Sequence, residues 1–163
     1  MNPTPEPAAH AGPFEMRAVA VVHSSRTEAT DDGWDDETAT ITLLEPFTTE
    51  ALRGLDSFSH IEVVYLFHHV DPERAVPQSR RPRGNTWWPQ VGVFAQRAKN
   101  RPNRIGISTC QLITIDDVTL RVHGLDAIDG TPVLDIKPYL VEFAPHSPVT
   151  QPLWSHELMA EYF

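Results

Sequence analysis

The sequence predicts an all-β protein, a compact β-barrel with short peripheral helices. Two observations predict this class: short segments rich in β-branched or alternating residues recur along the chain, and helical spacing is rare. Many short strands with little helix are typical of a barrel or sandwich. The predicted strands are Arg17–Ser24, Thr38–Leu44, Ile61–Phe67, Ile105–Ile115, Val118–Leu125 and Pro132–Ile136. Asp116-Asp117 predicts a hairpin turn between the fourth and fifth of them.

Composition divides the chain into three parts. Residues 1–14 are rich in proline and alanine and predict a flexible leader, residues 15–145 the barrel domain, and residues 146–163 a C-terminal extension. Apolar residues at helical spacing predict a short helix over Trp154–Phe163. A second helix is predicted over Thr48–Gly54, capped by a threonine and ended by the glycine.

The overall composition is that of one soluble domain of 163 residues, with 40% hydrophobic and 21% charged residues. No apolar run approaches the roughly 20 residues that a membrane span needs. The one cysteine, Cys110, excludes an intrachain disulfide, fits the reducing cytoplasm, and is expected to be a buried small apolar residue. Glycine-rich dinucleotide loops and phosphate loops are missing, which argues against a Rossmann fold or an NTPase.

The charge is distributed unevenly. The formal net charge is −9, yet the basic stretch Arg74–Arg104 holds eight Lys or Arg and no acid, which leaves five basic residues elsewhere. Such a stretch can bind an anionic ligand, although a solvated arginine-rich loop is an equal alternative. The long segment Asp71–Gln90, which overlaps the start of this stretch, holds four prolines and Trp87-Trp88, and such a loop is usually functional or disordered. The predicted substrate-binding residues are Arg80, Arg81, Arg83, Arg101 and Asn103.

A second polar cluster follows the last predicted strand. Asp135, Lys137 and Tyr139 alternate, so they lie on one strand face and must pair with each other or contact a ligand. A structural Asp–Lys pair on an exposed strand is the alternative to a catalytic role. His68-His69 does not predict a metal site, because adjacent strand residues point to opposite faces and no third ligand is suitably spaced.

Three motifs resemble those of the TrmO/TsaA-like family. They are Phe58-Ser59-His60, the run Phe94–Ser108 that contains Arg101-Pro102-Asn103, and the eleven-residue run Asp129–Tyr139, which matches the family pattern without a change. The resemblance spans about Arg17 to Glu142. Thr30–Trp34 replaces the Pro-Arg-Gln stretch that many members carry, so contacts from this loop are expected to be main-chain or remodelled.

The resemblance implies a TsaA-like barrel that binds S-adenosylmethionine near a homodimer interface. It also implies N6-methylation of threonylcarbamoyladenosine 37 in tRNA. Arg97 is expected to bind the methionyl carboxylate. Backbone carbonyls together with Asp126 or Asp129 are expected to bind the amino group and the ribose hydroxyls. The cofactor-binding residues that the resemblance implies are His68, His69, Arg97, Ile107, Asp126, Asp129, Gly130 and Thr131.

Three functions remain open from the sequence. The first is the tRNA methyltransferase, in which Asp135 removes or polarises the N6 proton, Lys137 sets its charge and Tyr139 orients the acceptor. The second is an S-adenosylmethionine-dependent methyltransferase with a small-molecule acceptor, favoured by the acidic average charge. The third is a non-enzymatic module that binds S-adenosylmethionine.

Overall fold

The computed structural model describes residues 12–74 and 78–163, and its centre is a closed barrel of six antiparallel strands. The strands are β1 Ala20–His23, β2 Thr38–Leu43, β3 His60–Leu66, β4 Ser79–Arg80, β5 Val91–Gly92, β6 Ile105–Asp116, β7 Thr119–His123 and β8 Pro132–Pro138. They follow the barrel order β1-β2-β7-β6-β3-β8, and β4 pairs with β5 in a separate two-stranded sheet. This confirms the predicted all-β barrel. The predicted leader falls mostly on residues 1–11, outside the described part.

Strict alternation of side chains builds the barrel interior. In β3, buried residues alternate with more exposed ones, and the first eight residues of β6 show the same alternation. The inward side chains form one continuous apolar core, which explains why these segments form strands although they are short. The largest fully buried members are Tyr65, Ile41, Ile61, Leu120, Leu125, Val22, Val63, Val122 and Val133.

The strand boundaries differ from the predicted ones where turns intervene. The first strand begins at Ala20 rather than Arg17, and β8 extends two residues beyond the predicted Ile136. The turn between β6 and β7 was predicted at Asp116-Asp117. It lies one residue later, because Asp116 still pairs with Thr119 and Asp117 takes a φ of 52°.

The helices are short and peripheral, as predicted, but two differ in type or length. The segment after β2 is a 3-10 helix, Thr49–Leu52, whose Thr48 side chain accepts a hydrogen bond from the Glu50 N–H. The C-terminal helix α1 covers Leu153–Met159, four residues shorter at its end than predicted. Further 3-10 turns cover Leu55–Ser57, Pro72–Arg74, Pro82–Gly84, Val93–Ala95 and Val141–Phe143.

Within residues 12–74 and 78–163, none of the helices has the length and apolar character required to cross a membrane.

Candidate functional site

One end of the barrel collects most of the predicted cofactor residues. The register places the last residues of β3 beside the first residues of β6 and β8, since Leu66 pairs with Ile105 and Tyr65 with Val133. His68 and His69 therefore lie next to the start of β6, where Ile107 sits. The turn from Asp126 to Thr131 enters β8 at the same end. The structure thus brings together residues that are up to 63 positions apart in the chain.

Asp126 is the centre of a hydroxyl network at this barrel end. Its Oδ1 accepts hydrogen bonds from the Tyr65 hydroxyl at 3.0 Å and from Ser108 Oγ, and its Oδ2 accepts one from the Tyr162 hydroxyl at 2.5 Å. Burial, reinforced by the Asp126 charge, raises the pKa of both tyrosines, so both stay protonated and donate. Three hydroxyl donors therefore hold one half-buried carboxylate in place.

None of those three hydroxyl partners was assigned a role from the sequence. Tyr65 lies outside the three motifs, and Ser108 ends the second motif without an expected contact; both are buried. Tyr162 fell only within the helix predicted over Trp154–Phe163. It lies beyond the end of α1, in the last residues of the chain. The contacts join residues 18 to 61 positions apart, so no local pattern could reveal them.

The turn before β8 is held against β1 and His68. Ser24 N donates to Asp129 Oδ1 at 3.1 Å, and the Thr131 hydroxyl lies 3.4 Å from His68 Nδ1. Gly130 has a φ of 75°, which a side chain would strain, and a Cβ there would approach His68 Nε2 to 3.8 Å. Burial lowers the pKa of His68, and the neighbouring His69 lowers it further, so the imidazole is neutral at pH 7.

Arg97 reaches the same end from outside the barrel. Its Nη2 donates to the Ile107 carbonyl at 2.7 Å, and its side chain is otherwise exposed. Its positive charge also acts on Tyr162, which ties it to the Asp126 network. A guanidinium keeps several N–H donors in a planar fork, so Arg97 retains donors for a carboxylate.

The predicted catalytic residues lie on the outer face of β8. Lys137 Nζ and Asp135 Oδ2 form an ion pair at 2.5 Å, and Asp135 raises the pKa of Lys137 through this hydrogen bond and its charge. The structural pair that the sequence left open is therefore present. Asp135 pairs with Val64, which pairs with Ile107, so Asp135 lies two strands, about 10 Å, from Ile107. Tyr139 lies one residue past β8, where its N–H donates to the His60 carbonyl.

Much of the basic stretch is engaged within the protein. Arg83 forms an ion pair with Asp32 at 2.6 Å, and Lys99 donates to the Ala29 carbonyl at 3.1 Å. Arg81 donates to the main-chain carbonyls of residues 86 and 88, and Arg101 to that of residue 96. Among the described residues, the side chains of Arg80 and Asn103 make no hydrogen bond or ion pair. Arg83, which was predicted to bind substrate, and Lys99 therefore hold the loop 29–34 in place.

The loop 29–34 is also held in place by Arg26 and Glu37, which lie between β1 and β2. Arg26 pairs with Glu37 at 2.6 Å and lies 4.3 Å from the centre of the buried Trp34 ring. This hydrogen bond from Arg26 holds the pKa of Glu37 below its usual value. Within the described part of the chain, the Trp34 indole N–H is buried without a partner. The loop that replaces the Pro-Arg-Gln stretch is thus packed against the site.

These contacts place the candidate site at one end of a closed β-barrel, where strand ends and loops meet. No group of three or more metal-ligating side chains occurs in the described residues. The profile of the tRNA-methyltransferase O N-terminal domain matches residues 23–144, and the chain belongs to this family. It covers most of the barrel, from the end of β1 to just beyond β8.

Individual relatives agree with the family assignment. The chain is 43% identical over 105 residues to the tRNA (adenine(37)-N6)-methyltransferase of Escherichia coli, covering 60% of this chain and 43% of the relative. It is 39% identical over 132 residues to a protein named "Probable S-adenosyl-L-methionine-binding protein" of Methanothermobacter thermautotrophicus, covering 77% and 90%. The crystal structure of TrmO from Pseudomonas aeruginosa superimposes with a TM-score of 0.70 at 30% identity, covering 87% and 63%. The chain spans less than half the length of the first curated relatives it matches.

Proposed function

We propose that this protein is an S-adenosylmethionine-dependent methyltransferase that methylates N6 of threonylcarbamoyladenosine 37 in tRNA. One observation carries the proposal. The residues that match the family's cofactor positions, scattered from His68 to Thr131, meet at one barrel end around Asp126 and Arg97. The name of the Escherichia coli relative supports the reaction and the acceptor. The proposal also includes a cytoplasmic homodimer, supported by the exposed apolar side chains of Phe94 and Ile107 beside the site.

The side chains at this end fit the chemical groups of S-adenosylmethionine. Arg97 offers free donors to the methionyl carboxylate, and Asp126 and Asp129 offer acceptor oxygens to the amino group and the ribose hydroxyls. The half-buried carboxylate of Asp126 keeps acceptor capacity beyond its three hydroxyl donors. When bound, the cofactor supplies a methyl group on a positively charged sulfur.

The chain's own residues would position the acceptor and handle its proton. An N6–H that carries a carbamoyl group is a weak nucleophile until its proton is removed or polarised. The Asp135 carboxylate is proposed as the acceptor of that proton. Lys137 forms an ion pair with Asp135 at 2.5 Å, and Tyr139 is proposed to orient the acceptor nucleoside.

A second candidate is a small-molecule methyltransferase, and the ion pairs of the basic stretch favour it. Arg83 and Lys99 are neutralised in part by Asp31 and Asp32, which leaves fewer cations for tRNA phosphates than the sequence suggests. A third candidate, a binding module without activity, is supported by the name of the archaeal relative, which states only S-adenosyl-L-methionine binding.

Incubation with methyl-labelled S-adenosylmethionine separates the three candidates. Label in tRNA supports the proposed function, and Asp135→Asn should then lower transfer at saturating cofactor while leaving cofactor affinity unchanged. Label that enters a metabolite extract but not tRNA contradicts the tRNA acceptor. Tight binding without transfer to either acceptor contradicts an enzyme. Arg121→Ala is the control, since this exposed arginine lies on β7, three strands from β8 in either direction around the barrel.

A further inference from the structure

The C-terminal segment Leu153–Phe163 returns to the site and contacts it at three places. The Trp88 indole N–H donates to Glu157 at 2.7 Å. The main-chain carbonyls of Glu161 and Tyr162 accept hydrogen bonds from Gly33 and Trp34 at 2.9 and 2.8 Å. The segment is therefore attached both to the basic stretch and to the loop 29–34.

Tyr162 makes the third contact, with Asp126. Tyr65 and Ser108 bind Oδ1 from inside the barrel, whereas Tyr162 binds Oδ2 from outside. Among the described residues, Tyr162 is the side chain that donates a hydrogen bond to Asp126 Oδ2. A carboxylate has about four lone-pair sites, so one acceptor site on Oδ2 remains when these three hydroxyls donate. The orientation of that site depends on the Tyr162 hydroxyl.

The backbone of Tyr162 is held by elements that are themselves fixed. Trp34, which donates to the Tyr162 carbonyl, is buried under Arg26, and Asp32 is paired with Arg83. A tyrosine held in this way forms a wall of the site. A tyrosine that merely blocked Asp126 would not need its main chain paired with the loop.

We propose that Tyr162 is a positioning residue for the cofactor, which orients Asp126 Oδ2 toward the cofactor's amino or hydroxyl group. This inference rests on the proposed function. It adds to the site a residue that lies outside the family match, which ends at residue 144. The C-terminal segment is thereby part of the binding site.

Equilibrium binding of S-adenosylmethionine to the full chain tests the inference. Tyr162→Phe keeps the ring and removes the hydroxyl, and it should weaken binding about tenfold, as expected for one lost hydrogen bond to a charged group. In a transfer assay, KM for the cofactor should rise by a similar factor while kcat stays within about twofold, because the reacting groups remain in place. Glu157→Gln is the matched control on the same segment, since its amide oxygen can still accept from Trp88.

A double-mutant cycle with Asp126→Asn identifies the route of the effect. If Tyr162 acts through Asp126, Tyr162→Phe should have little further effect in the Asp126→Asn background. Equal cofactor affinity in wild type and Tyr162→Phe overturns the inference and leaves the proposed function standing. Tighter binding by Tyr162→Phe also overturns it, because Tyr162 would then compete with the cofactor. A wild-type protein that does not bind S-adenosylmethionine refutes the proposed function itself.

Discussion

Gly106 lies against Tyr65 at the base of the Asp126 network, and Gly106→Ala is expected to disrupt both. A Cβ at this position would lie 2.5 Å from Cε2 and 2.6 Å from Cζ of Tyr65, and 3.0 Å from Cζ of Phe67. Tyr65 cannot move aside freely, because its side chain is 2% exposed and its hydroxyl is bonded to Asp126. One added methyl group must therefore displace a packed ring.

The magnitude follows from two costs. Overpacking a core typically costs about 1–3 kcal/mol. Displacing the Tyr65 ring adds about 1.5–3 kcal/mol if its hydrogen bond to the carboxylate is lost. Since 1 kcal/mol shifts the melting temperature of a domain of this size by roughly 2–4 °C, the two costs together should lower it by about 5–24 °C in Gly106→Ala.

Thermal unfolding followed by circular dichroism measures this change. Gly92→Ala is the matched control, because its φ of −63° suits any residue and no atom lies within 4 Å of the added Cβ. The control should melt within about 2 °C of wild type, as for a surface substitution. If Gly106→Ala also melts within that interval, the described packing of Gly106 against Tyr65 is wrong.

Three further predictions concern the site and its supports. Arg97→Ala should weaken S-adenosylmethionine binding, measured by calorimetry, by roughly 10- to 150-fold. Arg97→Lys should bind better than Arg97→Ala but less tightly than wild type, because an ammonium lacks the planar fork. Unchanged affinity in Arg97→Ala would remove Arg97 from the site. Arg80→Glu should lower the slope of log tRNA affinity against log salt by about 0.7–0.9 if Arg80 contacts one phosphate; an equal slope would exclude that contact. Because Arg26 lowers the pKa of Glu37, their pair adds stability above the ordinary carboxyl pKa of 4.5 and loses it as pH falls. Urea midpoints of Glu37→Gln should therefore fall less steeply than wild type below pH 5, and parallel curves would contradict this.

The fold could be predicted from local patterns because barrel strands alternate inward and outward residues. The strands predicted over Ile61–Phe67 and Ile105–Ile115 lie close to the observed bounds of β3 and β6, in which buried and exposed residues alternate. The one-residue shift of the β6–β7 turn depends on backbone conformation at Asp117, which the sequence does not state. The Asp135–Lys137 pair was predictable because residues two apart in a strand share a face.

The site was less predictable because its contacts are long-range. Arg83 and Asp32 are 51 positions apart in the chain, so their ion pair could not be recognised from the sequence. Arg83 was therefore predicted to bind substrate. Tyr162 reaches Asp126 only because the C-terminal segment folds back onto the loop 29–34. The family resemblance supplied the residues around Asp126. Their hydroxyl partners required the three-dimensional structure.

Nucleoside analysis of tRNA tests the central claim most directly. Purified tRNA carrying threonylcarbamoyladenosine is incubated with the protein and methyl-labelled S-adenosylmethionine, digested to nucleosides and analysed by mass spectrometry. The proposed function predicts a labelled methyl group on N6 of threonylcarbamoyladenosine from position 37, and less of that product with Asp135→Asn. The claim would be contradicted if the threonylcarbamoyladenosine stays unmethylated after complete incubation while the same protein preparation binds the cofactor.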